Sequence, residues 1–285
     1  MRNKKKVLKI FSRDFFFLLV LIGVPAIYSI FIEPGWFQIN RYELEVDNLP
    51  AGFEGFKIVV FGDIHKSPIV SSGHVRKCIA LINSLEPDIV LNTGDFITDK
   101  AEYIYEIVEP LKSINSKYGV FASPGNHDYW ADIDIVKKGL EDAGISLLVN
   151  ENRSIEKNKN TERIWIVGLD DMWGGRINTF EAFKNIPEDD VKFLIMHNPD
   201  YFIELADFGI DLVMAGHTHG GQVSIPFFGP PLVPSQYGKK YASGFVESGK
   251  MYVHKGIGTW KIPVRFLSRP EIVLFTLHKT GAATR

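Results

Sequence analysis

The sequence predicts an α/β fold built on a sheet that is parallel in large part. Two observations carry this. From residue 57 onward, short apolar runs alternate with amphipathic runs of helical period, the pattern of successive βα units. A polar motif follows directly on most of the apolar runs, and open α/β sheets place their sites in the loops at strand carboxyl ends. Composition agrees: 285 residues with 45% hydrophobic and 23% charged side chains suffice for one large domain with a sizeable core.

Taken in order, Lys57 to Phe61 reads as a strand, Gly73 to Leu85 as a helix and Asp88 to Asn92 as a second strand. Ala101 to Ser113 reads as a helix, Tyr118 to Ala122 as a strand and Ile133 to Ala143 as a third helix. Asn150 to Glu162 is polar and charged, which fits a hairpin or loop tip. Strands follow at Ile164 to Leu169, Lys192 to Met196 and Leu212 to Ala215, with helical connections around Thr179 to Lys184 and Tyr201 to Ala206. The last third is richer in strands, at Tyr241 to Val246, Met251 to His254 and Glu271 to Leu277. No repeat or linker divides this body. The domain is expected to span 51–285, with 36–50 as a connecting segment. The single cysteine, Cys78, excludes an intramolecular disulfide and sits in an amphipathic pattern that predicts an inert core position.

Residues 1–35 read differently. Residues 1–13 carry six cations and no acid, and Phe15 to Ile32 contains no charge over 18 residues. That length is near the lower limit of a membrane-spanning helix. The cations before it and Glu33 after it predict the N-terminus inside and the following domain outside. The expectation is a single anchor in a bacterial inner membrane with an extracytoplasmic domain. A cleaved signal peptide competes with it. So does a helix lying in the interface, broken at Pro25, which would leave the domain on the cytoplasmic face. Without the basic flank the remainder holds 26 basic against 34 acidic residues, which argues against general nucleic-acid binding.

The strand-end motifs are Asp63-Ile-His65, Gly94-Asp95, Gly125-Asn126-His127-Asp128, His197 and Gly216-His217-Thr218-His219. Five of the eight histidines fall in them. Taken singly, Asp and Asn in such loops are ordinary turn and cap residues. Five motifs after five strands instead offer hard oxygen donors, imidazoles and a carboxylate able to bridge two cations, the donor set of a two-metal hydrolytic site.

As an ordered set these motifs resemble the calcineurin-like metallophosphoesterase family. The resemblance implies a four-layer α/β/β/α sandwich around two mixed sheets. It also implies two divalent cations, with manganese, iron and zinc all suited to mixed oxygen and imidazole donors. Asp63, His65 and His219 would hold one cation, Asn126, His197 and His217 the other, and Asp95 would bridge both. His127 is left free to donate a proton or stabilise charge, and Asp128 is expected either to orient its ring or to serve as a helix cap. Gly94-Asp95-Phe96-Ile97-Thr98-Asp99-Lys100 departs from the protein serine/threonine phosphatase pattern, which has an arginine here and Gly-Asn-His-Glu later. The N-terminal anchor, Ile32-Glu33-Pro34, His217-Thr218-His219-Gly220-Gly221-Gln222 and Pro263-Val264-Arg265-Phe266 look like a bacterial membrane-associated phosphodiesterase subfamily, related to UDP-diacylglucosamine pyrophosphatases.

Two further segments bear on substrate. Ile225 to Pro234 is apolar and proline-stiffened, which suits either a lip toward a bilayer or acyl chain, or a loop buried against the domain. Arg265, close in sequence to Trp260, is a candidate phosphate clamp or a structural ion-pair residue. The expected activity is hydrolysis of a phosphodiester or pyrophosphate bond by a metal-activated water, on a lipid-linked or small-molecule substrate and without an obligate protein partner. A UDP-diacylglucosamine pyrophosphatase on the cytoplasmic face and a non-enzymatic, metal-bound interaction module are the alternatives.

Overall fold

Residues 20–157 and 161–281 are described, in a computed structural model. Two six-stranded mixed sheets face each other. The first runs β1(Gln38–Val46), β12(Glu271–Lys279), β2(Lys57–Phe61), β3(Ile89–Asn92), β4(Val120–Ala122), β5(Ser146–Leu147). The second runs β10(Gly244–Val246), β11(Met251–Val253), β9(Leu212–Ala215), β8(Lys192–Ile195), β7(Glu162–Gly168), β6(Glu151–Lys157). Strands β2, β3, β4 and β5 are mutually parallel, as are β7, β8, β9 and β11. These parallel strands are nearly continuous apolar text, as expected for strands covered on both faces.

The period-two alternation along each strand builds three cores. Ile58 and Val60 of β2 point between the sheets, where they meet Phe193, Ile195, Met214 and Phe275. Val59 and Phe61 point the other way, against α1(Ser72–Asn83) and α3(Asn126–Asp142) through Val75, Ile79, Val136 and Leu140. On the outer face of the second sheet, Val167, Leu194 and Val213 pack on Leu205 and Tyr241. Helices therefore cover both outer faces. Cys78 is buried in the first of the outer cores.

Several elements differ from the sequence reading. The segment expected to connect, 36–50, contains β1, which pairs in parallel with β12 over its whole length. Its alternate residues are half-exposed, so it lacks the continuous apolar run that marks the inner strands. The helix expected at Ala101 to Ser113 is a 3₁₀ segment, Ala101–Glu106, followed by α2(Val108–Lys112), with Ile107 between them at φ −118° and ψ 0°. The third helix begins at Ile133 as expected, but a separate helical stretch from Asn126 precedes it, broken from it at the non-helical Asp132. The connection at Tyr201 to Ala206 lies in a 3₁₀ segment, Pro199–Phe208, and Tyr241 ends another, Gly238–Tyr241.

Among the described residues the expected spanning helix is not found. Residues 20–27 are α-helical, and the chain then passes through a π turn, Tyr28–Ile32, and a 3₁₀ turn, Glu33–Gly35. Among the described residues no helix is long and apolar enough to cross a membrane. The basic flank and Phe15 to residue 19 lie outside the described residues. Leu21, Ile22, Val24, Ile27 and Phe31 are all more than half exposed. The segment is latched to the body: Arg265 N–H donates to Ser29 O, and the buried Glu33 carboxylate accepts from Leu267 and Ser268 N–H.

Candidate metal centre

The sequence-predicted residues converge at the carboxyl ends of β2, β3, β4, β8 and β9, where the two sheets meet. Asp63, His65, Asp95, His217 and His219 all take positive φ, between 49° and 72°. For residues with a Cβ, left-handed backbone costs about 1–2 kcal/mol each, and such strain gathers at functional sites. It turns consecutive motif residues toward one point. Gly94, with φ of 92°, lets the second loop press on the third: a Cβ here would lie 2.5 Å from Gly125 N.

The side chains meet closely. Asp95 Oδ2 lies 3.3 Å from His65 Nε2 and 3.1 Å from His197 Nε2. His65 Nε2 is 3.0 Å from His219 Nε2, which is 3.3 Å from Asp63 Oδ1. His217 Nδ1 is 3.1 Å from His197 Nε2. Candidate ligand atoms of Asp63, His65 and His219 lie within 4.8 Å of one another, and so do those of Asp95, His197 and His217. His127 lies within the same distance of His65 and Asp95. Asn126 Oδ1 and His217 Nε2 are buried without a hydrogen-bond partner. These atoms border a cavity of about 110 Å³, rimmed by Trp130, Trp173, Pro234 and Trp260.

This arrangement fits divalent cations. Clustered imidazole nitrogens, two carboxylates and an orphaned amide oxygen lack enough protons to satisfy one another, and an unpaired buried polar atom is costly. Two cations with Asp95 between them would satisfy the set. Surrounding bonds orient it: His197 Nδ1 donates to Thr93 O at 2.9 Å, leaving Nε2 toward Asp95, and His217 N–H donates to Asp63 at 3.0 Å.

Burial drives the ionisation of these groups. It holds His65 and His217 down at about 3 and His219 well below its ordinary range, so all three rings are neutral donors. It pushes Asp63 up to about 7. Burial also opposes charge on His197, but Asp95, with Asp63 and Asp171, outweighs it and raises the ring to about 10. Burial likewise opposes ionisation of Asp95, yet His197 and His65 hold its carboxyl well below the usual range. A cation would compete for the His197 proton, since metal ligation needs the lone pair.

Two expectations are corrected. Asp128 does not orient His127 but takes its other expected role, capping α3 at Gly125. Its buried carboxylate accepts from the N–H groups of Gly125, Asp95 and Phe96 at 2.9, 3.0 and 2.9 Å, which ties the second and third motif loops together. The His127 ring is oriented by Thr98, whose carbonyl accepts from Nδ1 at 2.7 Å. Arg265 is no surface phosphate clamp. It is fully buried, and its guanidinium donates to the carbonyls of Lys255, Gly256, Gly258 and Ser268, with Nη2 3.4 Å from His219 Nδ1. Each of its three nitrogens donates to backbone, so it braces the loop behind His219.

His254 is buried behind Asp63. Its Nδ1 accepts from Gly256 N–H at 2.9 Å, so Nε2 carries the hydrogen and donates to Thr93 Oγ1 at 2.5 Å. It follows strand β11 directly, the same signal as the other motifs, but without a recognisable neighbour. His74 and His278 lie outside the site. His74 Nε2 meets Ile257 O, and the His278 ring pairs with Glu43 and Glu54.

A family profile described as calcineurin-like phosphoesterase matches residues 56–221. The chain belongs to that family. As a calcineurin-like phosphoesterase it is a metal-dependent phosphoester hydrolase, and its paired mixed sheets suit the fold. It is 32% identical to the uncharacterized metallophosphoesterase YkuE of Bacillus subtilis, over 89% of this chain and 90% of that protein. It is 30% identical to the phosphodiesterase YaeI of Escherichia coli, over 88% and 92% of the two chains. It is 27% identical to the UDP-2,3-diacylglucosamine pyrophosphatase LpxG of Chlamydia trachomatis, over 90% and 95%. The profile ends at Gly221, so this phosphoesterase carries its apolar loop, His254 and the Arg265 brace beyond the matched segment.

Proposed function

We propose that the chain is a membrane-associated, dinuclear-metal phosphoesterase that hydrolyses a phosphodiester or pyrophosphate bond in a lipid-linked substrate. The observation that carries the reaction class is Asp95 Oδ2 set between His65 Nε2 and His197 Nε2, beside the orphaned Asn126 Oδ1. Asp63, His65 and His219 would hold one cation, Asn126, His197 and His217 the other, with Asp95 shared. When bound, such cations neutralise phosphate charge and make water a competent nucleophile near neutral pH.

The chain's own residues complete the site. His127 Nδ1 donates to Thr98, so Nε2 is the free nitrogen, and in the imidazolium form it would give its proton to the leaving oxygen and return to the neutral ring. His127 N–H donates to Asp95 Oδ1 at 2.9 Å, leaving Oδ2 to face the pocket. The tryptophan rim narrows access to water. Membrane association draws support from the exposed apolar residues of the N-terminal helix and from Phe227, which is fully exposed on the loop beside the pocket. The kinship to a phosphodiesterase and a pyrophosphatase puts both linkages among the candidates.

The test measures hydrolysis of bis-p-nitrophenyl phosphate by the full chain in nanodiscs, repleted separately with Mn²⁺, Fe²⁺ and Zn²⁺. His127→Ala is expected to lower kcat by about 10²–10⁴-fold while retaining metal, the range for loss of a general acid. Asp95→Ala is expected to lose both metal and turnover. Full turnover in both variants after repletion would remove the assignment.

A further inference from the structure

A second depression adjoins the metal pocket. A groove of about 390 Å³ is lined by Val223, Pro231, Leu232, Pro234, Trp260 and Ile262, and it shares His219, Pro234 and Trp260 with the metal pocket. Its size is within the range of ligand clefts, and its walls are mostly apolar. Lys261 stands among the lining residues. The outer wall is the proline-rich loop, and that loop is fixed rather than merely exposed. Gly221, with φ of 73°, lets Pro230 pack against the metal-bearing segment, since a Cβ here would lie 2.5 Å from Pro230 Cβ. Ile225 N–H donates to Gly229 O, closing the loop on itself. Leu232 and Ile262 nonetheless remain 74% and 55% exposed. Wide-open apolar side chains along a preformed groove are costly in water and mark a ligand surface.

We propose that this groove is the subsite for one acyl chain of the substrate whose phosphate lies at the metal pocket. The inference rests on the lipid-linked reading above and gives it a location. Continuity identifies the occupant: a chain seated here is joined, past Trp260 and Pro234, to a phosphate beside His219. A planar base would find no stacked pair of rings along these walls, and a polar sugar would leave them unsatisfied. Lys261 at the edge suits the anionic part of the same molecule.

The test uses the metal-repleted full chain in nanodiscs and p-nitrophenyl alkyl phosphodiesters with chains from methyl to octyl. At full burial each methylene raises kcat/KM by about fourfold, so a partly open groove gives roughly two- to fourfold per methylene. Partition of ester into the nanodisc acts on every variant alike. The expected result is therefore a flatter chain-length slope in Leu232→Asp and Ile262→Asp than in the unaltered chain. An octyl phosphate with a terminal diazirine gives a readout without turnover. Photolysis is expected to label Pro231, Leu232, Lys261 or Ile262. Equal slopes with the methyl ester still hydrolysed overturn the groove and leave the phosphoesterase reading standing, as does labelling confined to Phe227 and Phe228. Labelling in the groove with no ester hydrolysed overturns the phosphoesterase reading and leaves the groove.

Discussion

Replacing Gly94 by alanine separates backbone strain from steric pressure on the metal loops. Gly94 has φ of 92°, and its added Cβ would lie 2.5 Å from Gly125 N, 2.7 Å from Pro124 C and 2.9 Å from Gly125 Cα. All three are backbone atoms, so no side chain can swing aside. Gly144 supplies the control, since its φ of 75° is equally left-handed but nothing lies within 4 Å of its Cβ. Gly144→Ala is expected to cost only the left-handed strain, about 1–2 kcal/mol. Gly94→Ala adds overpacking, typically about 1–3 kcal/mol, for a total of roughly 2–5 kcal/mol. In a chain of this size that is a fall in Tm of roughly 4–20 °C, at about 2–4 °C per kcal/mol. The pressure falls on Gly125, next to Asn126 and joined by its N–H to Asp128. The second and third loops must part, moving Asp95 from Asn126. A misplacement of about 1 Å costs on the order of 100-fold in turnover. The assays are thermal unfolding with and without metal, metal content, and diester hydrolysis. Equal Tm shifts in the two variants, with full metal content and turnover in Gly94→Ala, would refute the steric argument.

Three further outcomes follow from the geometry. Arg265→Lys should lower Tm and weaken metal retention, because an ammonium cannot replace the fork that joins Lys255, Gly258 and Ser268 carbonyls behind His219; unchanged Tm and metal content would show that the brace is dispensable. Chelation should lower Tm, and restoring free metal to 100-fold above its Kd should return about 2.7 kcal/mol, read as a Tm that depends on metal concentration; a Tm indifferent to metal would contradict a site held by cations. His278 is raised by its hydrogen bonds to Glu54 and Glu43, so its stabilisation is fully present below its unfolded value near 6.5 and fades as pH rises through the raised folded value. His278→Gln should therefore lower Tm at pH 6 more than at pH 9, and a difference that grows with pH would reverse the sign.

The alternation of strands and helices was legible because buried parallel strands such as β3 and β8 are continuous apolar text with few other interpretations. Strand β1 was not legible, because its outer residues face water and only its pairing with β12 makes it a strand. The 3₁₀ segments escaped for a similar reason. Ala101 to Lys112 has helical composition, and whether it continues past Ile107 is decided by packing. In the site, motif order alone pointed to the candidate donors that the fold brings together. Asp128 and Arg265 could not be assigned that way, since a carboxylate or guanidinium beside a phosphate motif reads as chemistry until its hydrogen bonds are seen. The Thr98 carbonyl that turns His127 carries no side-chain signature.

By itself the sequence determined which candidate donors lie at which strand ends, because donor chemistry depends on residue type and strand ends on local apolar pattern. Tertiary structure decided which candidate donors face one another, what braces them, and that an open apolar groove adjoins the metal pocket. Those are consequences of two facing sheets whose strand ends come together around backbone held at positive φ. They depend on contacts between residues far apart in the chain, which no local pattern of side chains can specify.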